Sequence, residues 1–191
     1  MNDPSAIPPC EVLRSEHQII LRVVNVLRRL VDRARRGDGF EHAAFLRCGE
    51  FMRLFADACH HAKEEELLFP VLEGRGIPRD GGPIGVMLHE HRLARDHTKE
   101  MGAALDQCER GESGAQDRCL RAAQSYIDLL TAHIDKEDNI LFGMGDRVMS
   151  DDDQAALSGQ FCEVGCRTFG GKRKEELARI ADELEAEWGH A

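Results

Sequence analysis

The sequence is poor in aromatic residues: they make up 5% of its 191 residues, with a single tryptophan and a single tyrosine. Its 42% of hydrophobic residues are therefore mainly aliphatic, which suits helix packing better than a β-sandwich. No apolar run approaches the roughly 20 residues that a membrane-spanning helix requires. We therefore expect a helical protein without a membrane partner.

Signs of export are also lacking. The segment Met1–Pro9 contains an acid and three prolines but no basic apolar run, so it does not resemble a signal peptide. Seven cysteines, an odd number at irregular spacing, do not suggest a disulfide framework. A cytoplasmic location is the expectation. Cys162 and Cys166 are either a redox or metal pair or, as we favour in the absence of a second pair nearby, two small packing residues.

The charge of the chain argues against binding to polyanions. The net charge is −10, and the few basic runs are short and lie close to acidic residues. A nucleic-acid partner would require a basic surface. We therefore expect no nucleic acid among the partners of this chain.

Hydrophobic residues recur at helical spacing in four long segments with glycine-containing connections. This pattern predicts helices at about residues 11–36, 40–73, 84–110 and 114–142, with Pro70 kinking the second or ending it early. Ser113 to Gln116 match a capping box before the fourth helix. No strand pattern is present. The predicted fold is all-α, an antiparallel up-down four-helix bundle formed by residues 1–149.

Residues 150–191 are expected to form a C-terminal helical extension that packs on the bundle. Ser150 opens a capping signal, and two helices are expected, at about 150–168 and 172–188, separated by Gly170 and Gly171. The last helix has one apolar stripe, formed by Leu177, Ile180, Ala181 and Leu184. A short helix with one such stripe needs a partner surface. That surface belongs either to the same bundle or to a second copy, so we expect a monomer or a homodimer.

An internal repeat relates four of the nine histidines. The second and fourth helices share the pattern His-x-x-Lys-Glu-acid-x-aliphatic-Leu-Phe, which starts at His60 and at His133. The first and third share a shorter Glu-His pattern, at His17 and at His91. The offsets agree, because 17 to 91 is 74 residues and 60 to 133 is 73. The chain therefore looks like a helix pair used twice, with an approximate twofold axis.

The repeated spacing has a chemical reason. A histidine and a glutamate four residues apart share a helix face, so both can converge on a metal in the core. Imidazole with carboxylate suits iron, manganese or zinc, and glutamates can bridge two metals. Two six-coordinate metals offer about twelve positions, of which four histidines, two bridging glutamates and one bridging oxide or hydroxide fill about ten. About two positions remain for a small ligand.

The second helix leaves an alternative open. His61 and Glu65 have the same spacing as His60 and Glu64, and a helical wheel does not exclude them as ligands. The repeat favours His60 and Glu64, because His133 and Glu137 have no second pair beside them. His61 is then expected beside the metal ligands or at the edge of a pocket.

Together these motifs resemble the bacterial hemerythrin-like proteins of the HHE cation-binding type, over most of the chain. The resemblance rests on Glu16-His17, on the block from His60 to Pro70, on the block from Gly82 to His91, and on the block from His133 to Glu137. It implies a four-helix bundle with an oxo- or hydroxo-bridged centre of two Fe ions. The implied ligands are His17, His60, Glu64, His91, His133 and Glu137.

The third helix departs from the oxygen-carrying members of that family, which have a second histidine four residues before the first. Here that position is Met87. His89 should point to another face, and His97, six residues after His91, is left out of the ligand set but is a candidate for the pocket lining. One imidazole fewer favours redox turnover over reversible oxygen transport.

Three functions fit this pattern. The first is a di-iron protein that binds dioxygen, peroxide or nitric oxide for sensing or redox handling. The second is a di-iron enzyme that decomposes peroxide or reduces nitric oxide. The third is an iron-handling or iron-repair protein.

Overall fold

The computed structural model describes residues 7–189. The prediction that Met1–Pro9 is not a signal peptide therefore concerns residues that lie largely outside the described part of the chain. The α-helices are α1 (Pro9–Arg36), α2 (His42–Phe51), α3 (Phe69–Gly74), α4 (Pro83–Glu109), α5 (Ala115–Lys136), α6 (Phe142–Val148), α7 (Asp151–Gly165) and α8 (Lys174–Trp188). Three segments have the wider turn of a π-helix: π1 (Met52–His61), π2 (Glu64–Leu68) and π3 (Glu137–Leu141). The α and π segments run into one another, so residues 42–74 and residues 115–148 are each one long helical segment.

Apart from one short hairpin, the described residues are helical or in turns, in agreement with the predicted class. Strands β1 (Thr168–Phe169) and β2 (Lys172–Arg173) pair antiparallel. Gly170 and Gly171 join them with φ angles of 58° and 82°, the left-handed values that a tight hairpin turn requires. The prediction of a chain without strands is wrong at this point, because strands of two residues are too short to show an alternating pattern.

Two local signals near helix ends can be compared with the structure. The second helical segment continues past Pro70 to Gly74, close to its predicted end at about residue 73, since Pro70 lies in the first turn of α3, where proline fits. The capping box predicted at Ser113 is absent: α5 begins after Gly114, which has a φ of 72°, and no side chain caps it. The capping box at Ser150 forms as predicted, with Asp153 as its partner.

Two clusters of buried apolar side chains fill the interior. In α1, for example, Leu13 belongs to one cluster and Ile20 to the other, with His17 between them. In α4 the same order is Met87, His91, Ala94. The predicted metal ligands therefore occupy a polar layer between two apolar layers.

The C-terminal helices contact the preceding segments. Leu177, Ala181 and Leu184 of α8 are fully buried and join the cluster that contains Ile20, while Leu157 and Phe161 of α7 join the other. Cys162 and Cys166 are exposed instead, so the expectation that they are packing residues is wrong. Helix α7 turns them outward because Phe161 and Val164 occupy its buried side. Within residues 7–189, no helix combines the length and hydrophobicity needed to cross a membrane.

Candidate metal centre

The six residues predicted as ligands come together in the polar layer. Each of them is at most 1% exposed, although all are polar or charged. Polar and ionisable groups are rarely buried so completely unless they pair or bind a metal. Among the described residues, two groups of possible ligands meet the distance requirement for a shared ion, one formed by His17, His60, Glu64 and Glu137, the other by His61, Glu64, His91 and His133.

The two glutamates connect histidines from both halves of the repeat. Glu64 places one carboxylate oxygen 3.4 Å from Nε2 of His60 and the other 3.5 Å from Nε2 of His91. Glu137 places Oε2 3.2 Å from Nε2 of both His17 and His133. Two ligand atoms at about 2.1 Å from one metal and at right angles lie about 3 Å apart. These separations therefore suit carboxylates that span two neighbouring ions.

The atoms that face one another in this layer lack hydrogen-bond partners. Within residues 7–189, these buried atoms are Nε2 of His17, Nε2 of His60 and both carboxylate oxygens of Glu64 and Glu137. A buried polar atom without a partner costs about 1–3 kcal/mol, so their convergence needs an explanation. A pair of cations would give all of these lone pairs a partner, and nitrogen with carboxylate oxygen is the donor set that iron accepts. The residues present therefore fit a two-metal centre.

The opposite ring nitrogen of each predicted histidine ligand donates a hydrogen bond to a carboxylate on another helix. His60 donates to Glu16 of α1 (3.0 Å), and His91 donates to Glu65 of π2 (2.7 Å). His133 donates to Glu90 of α4 (3.0 Å), and His17 donates to Asp138 of π3 (2.7 Å). Metal-binding histidines usually have such a partner, which fixes the ring and makes it a better ligand.

These four hydrogen bonds form a closed ring, which we call the carboxylate–histidine ring. The first helical segment holds a histidine of the second, the second holds one of the third, the third one of the fourth, and the fourth one of the first. Lysines support two of its carboxylates: Lys63 contacts Glu16, and Lys136 contacts Glu90. The ring explains the repeated pattern His-x-x-Lys-Glu-acid, because its lysine and its second acid both have a role beside the centre.

Burial and neighbouring charges set the protonation of the histidines. Burial lowers the pKa of His60 to about 3. Burial, together with neighbouring imidazoles, also lowers the pKa of His61 and of His91. At His133 burial is outweighed by Glu137 and Glu90, which raise its pKa to about 9. Three of these rings are therefore neutral at pH 7, the form that binds metal.

The two central carboxylates have opposite shifts. Burial and the nearby charge of Glu137 raise the pKa of Glu64 well above its usual value. Burial opposes the charge of Glu137 as well, but His133 and His17 outweigh it and hold the pKa of Glu137 well below its usual value. Without a cation, Glu137 favours its charged form and Glu64 favours its protonated form. A cation between them would favour the charged form of both carboxylates.

The remaining candidates have different places. His61 is 2% exposed and lies beside His91 and His133, with which it and Glu64 form the second group of possible ligands. Glu65 is one of the carboxylates of the ring. Met87 is buried in an apolar cluster, His97 is half-buried and His89 is exposed. Glu16, Glu90 and Asp138 were missed as functional residues, although the repeat of Glu-His and of Glu-acid pointed to them.

Comparison with known proteins agrees with this geometry. The model of the hemerythrin HHE cation binding domain matches residues 9–145. An uncharacterized protein of Mycobacterium tuberculosis, Rv1995, is 26% identical over 160 residues, which is 84% of this chain and 62% of the relative. The uncharacterized protein Mb2018 of Mycobacterium bovis matches equally well. The chain thus spans about 62% of the length of these curated relatives.

A shorter match involves a named repair protein. The iron-sulfur cluster repair protein DnrN of Neisseria gonorrhoeae is 37% identical over 87 residues, which is 44% of this chain and 54% of the relative. No solved structure gives a significant match. Because the domain model covers well over half of the sequence, the chain belongs to the hemerythrin HHE cation-binding family.

Proposed function

We propose that this chain is a non-haem di-iron protein that binds a small oxidant, namely dioxygen, peroxide or nitric oxide, for sensing or redox handling. The observation that carries the proposal is the set of buried, unpartnered ligand atoms that converge on Glu64 and Glu137. Two iron ions held there would supply reversible one-electron chemistry and coordination positions for the oxidant. The proposed ligands are His17, His60, Glu64, His91, His133 and Glu137.

The fold that goes with this proposal is an antiparallel up-down four-helix bundle of residues 1–149, with residues 150–191 as a helical extension. Helices α4 and α5 pack along each other, and α1 contacts both α2 and α5, as such a bundle requires. Helix α8 contacts α1 and α2. A cytoplasmic location is part of the proposal, and it rests on the odd number of cysteines. The oligomeric state is proposed as monomer or homodimer.

The chain's own residues prepare the centre for exchange with a small molecule. The carboxylate–histidine ring holds four imidazoles in place and leaves Nε2 of each directed inward. The apolar layers on both sides exclude bulk water from it. A cavity of about 720 Å³ between the second helical segment and α4 has Asp57 and His61 in its lining, so it lies beside the proposed centre.

The decisive experiment is to purify the protein, measure its metal, and record the optical spectrum of the reduced form during addition of each oxidant. About two irons per chain and a new, reversible absorption band with one oxidant support the proposal. Rapid catalytic loss of peroxide or nitric oxide supports the enzyme alternative. A protein that holds neither iron nor another metal after expression in iron-rich medium contradicts both.

A second candidate function is repair of iron–sulfur clusters, and the match to DnrN favours it. That function requires the centre to release iron to another protein. The test is to incubate the iron-loaded protein, labelled with 57Fe, with an enzyme whose cluster has been damaged by peroxide. Recovery of that enzyme's activity with transfer of 57Fe supports repair, whereas retention of all label on this chain contradicts it.

A further inference from the structure

We propose that the cavity between the second helical segment and α4 is a binding site for a small amphipathic carboxylate, a molecule with one apolar chain and one anionic head group. The site does not require the metal centre, because it is formed by residues of the cavity wall. Its volume of about 720 Å³ lies within the roughly 300–1,000 Å³ of pockets that hold small molecules, and its wall is mainly apolar. The cavity is therefore large enough for such a ligand.

The cavity is apolar at one end and polar at the other. Two hydrogen bonds define how its walls are aligned: His42 donates to the carbonyl of Leu105 (3.1 Å), and Arg95 donates to Asp57 (2.7 Å). Leu46 and Leu105 line the cavity at the first contact, whereas Asp57 and Arg95 line it at the second. A ligand with an apolar chain and a charged head group matches this division.

Two cations of the cavity wall have no counter-charge. Six arginine, lysine, aspartate and glutamate side chains line the cavity, of which four are in ion pairs: Arg47, Glu50, Asp57 and Arg95. The other two, Arg53 and Lys99, take part in none of the ion pairs among residues 7–189. Arg53 belongs to π1 and Lys99 to α4, so they come from opposite walls. Two unpaired cations at one cavity favour an anionic ligand.

A tyrosine hydroxyl of the wall also lacks a partner. Tyr126 of α5 lines the cavity and is 2% exposed, and its hydroxyl takes part in none of the hydrogen bonds within the described part of the chain. A buried tyrosine hydroxyl usually has a hydrogen-bond partner. Burial raises the pKa of Tyr126, so the hydroxyl keeps its proton at pH 7 and can donate it to a ligand. A carboxylate suits both features, since it is anionic and accepts hydrogen bonds.

A glycine inside α4 leaves part of this space open. Gly102 lines the cavity in the interior of the helix, where glycine is less stable than alanine. A Cβ at this position would have no other atom within 4 Å. A larger side chain there would therefore occupy the cavity without displacing its walls. Gly102→Leu should block the ligand and leave the helix intact.

The test measures binding of dodecanoate to the full-length chain by isothermal titration calorimetry, below the concentration at which dodecanoate forms micelles. We expect one dodecanoate per chain, and binding of dodecan-1-ol, which lacks the charge, about tenfold weaker. Gly102→Leu should weaken dodecanoate binding about tenfold or more, because the leucine takes the place of the ligand chain. Gly159→Leu provides the matched control, since Gly159 also has open space around it inside a helix, α7, that does not line the cavity.

A second pair of variants tests the charge. Arg53→Ala combined with Lys99→Ala should weaken dodecanoate binding about tenfold or more and leave the binding of dodecan-1-ol unchanged. The control combines Arg92→Ala with Arg121→Ala, which removes two exposed arginines that do not line the cavity. Circular dichroism of each variant checks that the helices are retained.

Three results would overturn the proposal. The first is a chain that does not bind dodecanoate. The second is unchanged dodecanoate affinity when Arg53 and Lys99 are removed, or in a folded Gly102→Leu variant. The third is binding to phosphatidylglycerol vesicles without binding of free dodecanoate, since the cavity then faces a lipid surface. Iron enters none of these measurements, so their failure leaves the proposed function standing, and failure of iron binding leaves this site standing.

Discussion

Nζ of Lys174 lies 2.5 Å from Oε1 of Glu16, which joins the C-terminal helix α8 to the carboxylate that holds His60. Burial opposes the charge of Glu16, but His60, Lys63 and Lys174 outweigh it and hold its pKa well below the usual value. The extension therefore contributes a charge to the surroundings of the proposed centre as well as an apolar face to the core.

This contact predicts the effect of Lys174→Ala. Glu16 keeps Lys63 but loses one of its two lysines, so its hold on His60 weakens. We expect iron to leave the loaded protein several-fold faster when a chelator is added, less than the about 10–100-fold typical of a residue that contacts a ligand directly, because Lys174 acts through Glu16. The control is Lys172→Ala, which removes a lysine paired with Glu50 instead. Equal rates of iron loss in both variants would contradict the prediction.

Removal of a proposed histidine ligand should lower the metal content of the centre. His60→Ala and His133→Ala each delete a buried imidazole that faces a central glutamate, at 3.4 Å and 3.2 Å. We expect about two irons per chain to fall to one or fewer in either variant, because the two ions share the carboxylates. Metal analysis of purified protein gives the answer, with His97→Ala as control. Full iron content in both variants would sink the ligand assignment.

The two neighbouring glutamates of π2 should differ in importance. Both oxygens of Glu64 are buried and unpartnered among the described residues, whereas Glu65 is part of the ring behind His91. Glu64→Ala should abolish binding of at least one metal, while Glu65→Ala should weaken it by about 10–100-fold. Titration of the metal-free variants with Co(II) separates the two. A larger loss in Glu65→Ala would show that the register of the second helical segment is misassigned.

Packing of the extension can be measured by unfolding. Leu177 is fully buried in α8, so Leu177→Ala should lower the free energy of unfolding by about 2–5 kcal/mol. Ile140, which is 53% exposed, provides the control, and Ile140→Ala should change it by no more than about 0.5 kcal/mol. Both values come from urea denaturation of the metal-free protein. A small effect at Leu177 would mean that α8 separates from the rest before unfolding begins.

The cysteines should divide sharply in their reaction with a thiol reagent at pH 7. Cys162 and Cys166 are exposed and accessible. Cys48 and Cys119 are buried, and burial raises the pKa of both thiols to about 12, which removes the reactive thiolate. Mass spectrometry after brief labelling should find the reagent on Cys162 and Cys166 but not on Cys48 or Cys119. Early labelling of Cys48 would reveal local opening of the second helical segment.

Much of the fold follows from local patterns that the sequence displays openly. The aliphatic residues of α1 recur at helical spacing, and its predicted end at Arg36 is the observed one. The capping signal at Ser150 depends on Asp153, three residues away, and it forms. The repeat grouped four histidines and two glutamates that the structure brings together in one buried layer, because residues that converge on one place leave the same spacing in both halves.

The same repeat concealed His61. Its counterpart in the fourth helix is Ile134, an apolar residue, so an argument from symmetry sets His61 aside. The π-helical turns also made the position of His61 hard to predict. Their hydrogen bonds reach one residue further than in an α-helix, which changes the side chains that face inward. No simple pattern in the sequence marks such a turn. The capping box predicted at Ser113 failed for a different reason. The N-cap position of α5 is occupied by Gly114, in a left-handed conformation, and not by Ser113.

The carboxylate–histidine ring depends on both halves of the internal repeat. Two of its four links join the halves of the repeat: Glu65 holds His91, and Asp138 holds His17. In the repeat, Glu65 of the first half corresponds to Asp138 of the second, and His17 of the first half corresponds to His91 of the second. The two links between the halves are therefore equivalent, and each half supplies the carboxylate of one and the histidine of the other. Each half of the repeat therefore carries two of the carboxylates and two of the histidines of the ring, so neither half closes the ring alone. The two halves stand to each other as the subunits of a symmetric dimer do, although one chain contains both.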